Sequence, residues 1–169
     1  MRVLFVKLGS IGDVIHTLPS LAAVRGSLPD ADISWVVESR SAEILRGNPL
    51  IDNLIEVDTR SVRKGSVDEI LAEARRQVKG IRKSKFDIAI DFQGLLKSAA
   101  IAKLSGAKKR YGFARSELRE PLSRLFLTES VVTDAQIHVI RKNLQLLAGA
   151  LSIDVPDANF EFPIRTGPE

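Results

Sequence analysis

Two short apolar runs constrain this chain most: Arg2 to Leu8, RVLFVKL, and Phe86 to Phe92, FDIAIDF. Each is nearly continuous and is followed by a turn and then by residues at helical spacing. A strand that is apolar on both faces belongs in the middle of a parallel sheet covered by helices on both sides. Between and after these runs, strands are predicted at Ile33–Val37, Leu54–Val57 and Lys109–Phe113, with helical segments at 14–28, 42–45, 67–82, 95–104 and 136–151. Pro19 is expected to bend the first of these or to restart it behind Thr17. Ser66-Val67-Asp68-Glu69 has the spelling of a capping box ahead of the 67–82 helix. The alternation predicts an α/β fold: a Rossmann-like open parallel sheet with helices on both faces.

A chain of 169 residues fits one such domain. Residues 1–153 carry the alternation. Residues 154–169 hold three of the seven prolines and read as an edge strand, Asn159 to Phe162, running into a linker. No apolar run approaches the roughly 20 residues that span a bilayer, and no cleavage signal follows the first strand, so a soluble, cytoplasmic chain is expected. With no cysteine and two histidines, disulfides, zinc-thiolate sites and cysteine nucleophiles are excluded. A net charge of +4 and a pI near 9.6 suit an anionic partner: nucleic acid, an acidic membrane surface or a phosphorylated small molecule.

Ligands of open parallel sheets sit beyond the carboxyl ends of the strands, which directs attention to residues 9–13, 58–65, 91–97 and 112–120. The first of these turns, GSIGD, is neither GxGxxG nor a nucleotide-triphosphate loop. A carboxylate, Asp13, stands where a pyrophosphate would meet the helix N-terminus, which disfavours a dinucleotide there. Two readings of Asp13 stand side by side: a helix cap, or a base at the mouth of the sheet that accepts a proton from a substrate hydroxyl. The helix N-terminus would lower its pKa and weaken it as a base.

The stretch MRVLFVKLGSIGDVIHTLPSL closely resembles the amino terminus of glycosyltransferase family 9, the ADP-heptose:lipopolysaccharide heptosyltransferases. The resemblance continues in WVVE (35–38), DFQGLLKSA (91–99) and REPLSRLF (119–126). The last two resemble the branch that adds the first heptose to the Kdo sugars of lipid A. The family has the GT-B fold, two Rossmann-like domains facing across a cleft. The resemblance implies that this chain is the N-terminal, acceptor-binding half, with a C-terminal donor domain absent from it and the isolated half inactive.

By the same resemblance, Asp13 is the catalytic base of an inverting transfer of L-glycero-D-manno-heptose from ADP-heptose to a Kdo hydroxyl. Neither a metal nor a cofactor is implied; the one D-x-D spelling, Asp30-Ala31-Asp32, lies at the wrong end of the sheet. Ser10 and Gly12 are expected to shape the turn around Asp13. Gly9 departs from the serine frequent there in the family, so that a hydroxyl contact near the base is lost or the turn is looser.

The loop TRSVRKG puts Arg60, Arg63 and Lys64 after the third strand, either as a solvated basic loop or as a grip on the carboxylates and phosphates of Kdo-lipid A. Gln93 and Lys97 follow the strand at 86–92; the amide suits sugar hydroxyls, and Lys97 is an acceptor contact or an ordinary surface lysine. Arg119 is placed among the acceptor contacts, or in a local ion pair with Glu120. His16 and His138 read as structural, with His138 and Arg141 also candidates to face the cleft. Implied partners are Kdo-lipid A, ADP-heptose and, peripherally, the cytoplasmic face of the inner membrane. Three rivals remain: another family 9 transferase with a different acceptor or donor, an anion-binding domain without catalysis, and a nucleic-acid binder, which one Trp, one Tyr and no binding motif disfavour.

Overall fold

The computed structural model describes residues 1–59, 72, 75 and 85–164. The predicted capping box at Ser66–Glu69, almost all of the 67–82 helix and the basic trio Arg60, Arg63 and Lys64 lie outside the described residues.

Among the described residues, six strands form one parallel sheet: β1 (Arg2–Val6), β2 (Asp32–Glu38), β3 (Asn53–Val57), β4 (Ile88–Asp91), β5 (Lys109–Phe113) and β6 (Glu129–Val131), in the order β3-β2-β1-β4-β5-β6. The period of two along β1 explains its continuous apolar run. Val3 and Phe5 enter one core with Trp35, Leu18, Leu21 and Leu147, while Leu4 and Val6 enter a second with Val36, Phe86 and Ile101 on the opposite face. Phe5 sits centrally, paired across the ladder with Trp35 and Ile90, and its ring lies 5.4 Å from Trp35 and 5.0 Å from Phe92. The first core is covered by α1 (Ile11–Ile15), α2 (Leu18–Ser27) and α4 (Val139–Leu151), the second by α3 (Leu96–Leu104).

The expected break near Pro19 is real. α1 ends at Ile15, and α2 restarts behind Thr17 with Pro19 in its first turn, where a missing N–H costs nothing. Thr17 Oγ1 donates to Asp13 O at 3.0 Å and links the two helices.

Three expectations need correcting. Asn159–Phe162 is not a strand: Asn159 takes φ 57°, incompatible with extended pairing, between Pro156 and Pro163. The edge is instead β6, three residues paired with β5. The last helix begins at Val139 rather than Gln136, because His138 at ψ 147° is its extended N-cap. The segment at 42–45 is a 3₁₀ turn, Ser39–Leu45.

The chain reverses winding direction between β1 and β4, and in a sheet of this order the crevice opens at that switch point. The residues leaving β1 (7–13) and β4 (92–97) therefore face one another there. Among the described residues, no helix is long and apolar enough to cross a membrane.

Candidate functional site

Beyond β1 the chain cannot simply turn out into water. Lys7 is 4% exposed, and its Nζ donates to Phe92 O at 2.8 Å, tying the exits of β1 and β4 together. Ser41 Oγ donates to Gly9 O at 3.0 Å from the neighbouring 3₁₀ turn. Ser10, extended at ψ 169°, is the N-cap of α1, and Asp13 is the third residue of that helix. The Asp13 carboxylate folds back so that Oδ2 accepts from Ser10 N at 2.9 Å and Ser10 Oγ at 3.0 Å. Asp13 thus supports the helix start without being its cap residue, and among the described residues its Oδ1 takes no hydrogen bond.

Gly9 makes room for this fold-back. A Cβ there would lie 2.3 Å from Asp13 Oδ2 and 2.5 Å from its Cβ. The absence of a side chain at position 9 admits the carboxylate over Ser10, so the glycine neither loosens the turn nor merely omits a hydroxyl. At Gly12, by contrast, an added Cβ meets only Ser10 Oγ, at 4.0 Å. The steric demand of the turn falls on Gly9, not on Gly12 as expected.

Two clefts meet at this carboxylate. The first, about 400 Å³, runs along Gly9, Ser10, Arg40 and Lys97. The second, about 330 Å³, is bounded by Lys7, Phe92, Phe113, Lys142 and Asn143. Asp13, Gln93 and Arg119 line both. Burial disfavours the charge on Asp13, but the Ser10 N–H, the Lys7 ammonium, the Ser10 hydroxyl and the Arg119 guanidinium outweigh it and hold the carboxyl below its ordinary range. Beneath the clefts, burial lowers the pKa of Lys7, against the attraction of Asp13 and Asp91. Asp91 is fully buried, and burial pushes its carboxyl up to about 6 despite hydrogen bonds from Gln93 N, Ser98 Oγ and Gly94 N.

Gln93 is 7% exposed, and among the described residues its Oε1 has no partner. Gly94 takes φ 68°, the left-handed turn that carries the chain from β4 toward α3. Lys97 is not an ordinary surface lysine. Its Nζ lies 3.2 Å from Glu38 Oε1 and 2.8 Å from Thr59 Oγ1, and Thr59 itself bonds Glu38, so the three clamp the ends of β2 and β3 to α3.

The expected Arg119–Glu120 ion pair does not form. Glu120 Oε2 accepts from Leu96 N at 2.6 Å, because the exposed N–H groups at the start of α3 compete for the carboxylate. Arg119 makes no ion pair among the described residues. His138 lines neither cleft: its Nδ1 accepts from Ile140 N at 3.4 Å, and its ring meets His16 edge-on at 5.3 Å. Arg141 donates to Asp157 O and lines neither cleft. Asp32 opens β2 and so lies at the far end of the sheet.

Sequence reasoning missed Arg40, Lys7, Lys142 and Asn143 as lining residues. Lys7 carried a signal, since an ammonium inside a strand apolar on both faces must find a partner. Asn143 is fully buried and bonds His16 O and Thr17 Oγ1; nothing in its helical spacing distinguishes it.

The family model for glycosyltransferase family 9 (heptosyltransferase) matches residues 74–167. The chain is 36% identical over 159 residues to lipopolysaccharide heptosyltransferase 1 of Pseudomonas aeruginosa, covering 94% of this chain and 45% of that protein. It is 33% identical to the same-named protein of Escherichia coli K12, covering 97% and 52%. Among solved structures it superposes on E. coli heptosyltransferase WaaC with ADP at a TM-score of 0.83 and 33% identity, covering 96% of this chain and 51% of that one. E. coli heptosyltransferase II, at a TM-score of 0.75 and 17% identity, shares the fold. The chain spans about half the length of the curated relatives it matches.

Proposed function

The chain belongs to glycosyltransferase family 9, and on that premise we propose that it is the acceptor-binding half of a heptosyltransferase acting on the lipopolysaccharide inner core. In this reading residues 1–153 bind the acceptor, residues 154–169 lead toward a donor-binding domain, and the half alone transfers no sugar. The donor is ADP-heptose, and the acceptor a Kdo hydroxyl of Kdo-lipid A at the cytoplasmic face of the inner membrane. The names of the relatives and the ADP-2-deoxy-2-fluoro heptose bound by one solved E. coli WaaC structure support the donor.

One observation carries the chemistry: an ionised carboxylate, with one oxygen unbonded among the described residues, stands where two clefts meet. Asp13 Oδ1 takes the proton of the Kdo hydroxyl as its oxygen attacks the anomeric carbon of the heptose. The bond from that carbon to the ADP oxygen breaks, ADP leaves with the electron pair, and the configuration inverts. A carboxylate held below its ordinary pKa is a weak ground-state base, so the proton moves as the hydroxyl oxygen loses electron density to the new bond. Arg119 and Arg40 give the first cleft a cationic wall suited to Kdo carboxylates, joined in this reading by Arg60, Arg63 and Lys64. Gln93 faces sugar hydroxyls, while Lys97 acts indirectly by holding the β3 exit from which the basic loop departs. Ser10 keeps Oδ2 occupied, so that Oδ1 is the reactive oxygen.

The test is transfer by the whole protein, with product configuration read by NMR. Inverted heptosyl-Kdo formed from ADP-heptose is the expected product. Absence of transfer to Kdo acceptors, or efficient transfer of an unrelated sugar in preference to heptose, overturns the assignment.

A further inference from the structure

Residues 121–126, PLSRLF, form a 3₁₀ turn. In such a turn the side chains at i and i+3 eclipse, so the six residues fall into three rows about 120° apart. Ser123 and Phe126 take the inner edge, 0% and 8% exposed, with Phe126 packed on Ala99, Leu96 and Leu127. Leu122 and Leu125 take the outer edge, 60% and 76% exposed. Two leucines are thereby left on the outside of the turn.

The segment that carries this ridge holds several basic residues. Lys103 Nζ lies 5.0 Å above the Phe126 ring, Arg124 sits on the turn itself, and Arg115 and Arg119 precede it. The two carboxylates of the segment are drawn off to other partners: Glu117 accepts from Thr133 N and Oγ1, and Glu120 from Leu96 N. Arg119 and Glu120 also line the first cleft, so that cleft opens beside the ridge.

We propose that Leu122 and Leu125, on one turn with Arg124, form the surface by which the protein rests on an anionic lipid bilayer. The proposal deepens the functional reading, since it rests on that reading for a lipid-anchored acceptor. Two leucines are far too small a patch for a stable protein interface, which buries on the order of 1,000 Å² or more. Interfacial lipid binding, by contrast, needs only a few apolar side chains entering the acyl boundary with cations at headgroup level. A ridge beside the acceptor cleft would bring that cleft to the height of the headgroups.

The test is co-sedimentation of the protein with phosphatidylglycerol or phosphatidylcholine vesicles that contain no acceptor. The wild type binds the phosphatidylglycerol vesicles more tightly, and added salt weakens that binding. The Leu122→Ser/Leu125→Ser variant loses at least about tenfold in vesicle affinity, the scale expected for removing one to two buried leucines. Both leucines are exposed, so the melting temperature, and in the whole protein the turnover with a short water-soluble Kdo acceptor, stay at wild-type values. Undiminished binding of the double variant to phosphatidylglycerol overturns the proposal, as does equal wild-type affinity for both lipids. A double variant that changes oligomeric state while keeping vesicle affinity overturns it too, and assigns the ridge to a second copy. Because the vesicles lack acceptor, a failure of heptosyl transfer would leave this result standing.

Discussion

Gly9→Ala puts the turn under the sharpest strain available from a single methyl group. The new Cβ lies 2.3 Å from Asp13 Oδ2, 2.6 Å from its Cγ and 2.5 Å from its Cβ, whereas ordinary contact begins near 3.4 Å. The carboxylate must withdraw by about 1 Å, and both hydrogen bonds from Ser10 stretch beyond useful length. Hydrogen bonds to a charged acceptor contribute roughly 1.5–3 kcal/mol each, but Asp13 is half in water and is partly resolvated. A net loss of about 1–2 kcal/mol follows, in the range measured for overpacking, or roughly 3–6 °C in melting temperature for a domain of this size. The same displacement removes two of the four influences that lower the Asp13 pKa, so the carboxyl rises toward its ordinary value. Thermal unfolding and an NMR titration of the carboxyl carbon read the two effects separately. An unchanged melting temperature together with an unchanged Asp13 titration would refute this account of the turn.

Other perturbations test the supports around it. Asp91, ordinarily near 3.8 when unfolded and about 6 when folded, contributes stability that is fully present below pH 3.8 and is lost as pH rises through 6, by roughly 3 kcal/mol. Asp91→Asn should flatten that part of the stability–pH curve, measured by urea denaturation between pH 4 and 7. Lys97→Ala strands the Glu38 carboxylate, 2% exposed, and should cost roughly 2–3 kcal/mol, below the 3–5 of a fully buried pair because Lys97 keeps 23% of its side chain in water; Glu38→Gln/Lys97→Met should cost less in the same denaturation. Replacing Arg60, Arg63 and Lys64 by alanine in the whole protein should weaken acceptor binding by more than about tenfold, and less so at high salt, measured by calorimetry.

How much of this was legible depends on how strongly burial writes itself into sequence. β1 and β4 announce themselves because burial on both faces leaves no polar alternation, and their order follows from the winding rules. β6 does not: only Val131 of its three residues is even half-buried, so the edge carries almost no signal. At the site, Asp13 and Gln93 were readable because topology alone brings the exits of β1 and β4 together. Competition for hydrogen bonds was not readable. Glu120 beside Arg119 suggests a pair, yet the start of α3, more than twenty residues earlier, takes the carboxylate; His138, structural or cleft-facing by sequence, spends its ring nitrogen on the first turn of α4. Gly9 reads as a lost hydroxyl contact or a looser turn because sequence does not reveal that Asp13 folds back over it.

The central claim is that Asp13 is a base and not only a support for α1. Asp13→Asn separates the two roles, since the asparagine oxygen still accepts from Ser10 N and keeps the helix start intact, while its amide cannot take a proton from a hydroxyl. Measured in the whole protein with ADP-heptose and a Kdo acceptor, kcat should fall by at least about 100-fold, with the melting temperature held. A folded Asp13→Asn protein with near-wild-type kcat would contradict the account and leave Asp13 a helix support alone.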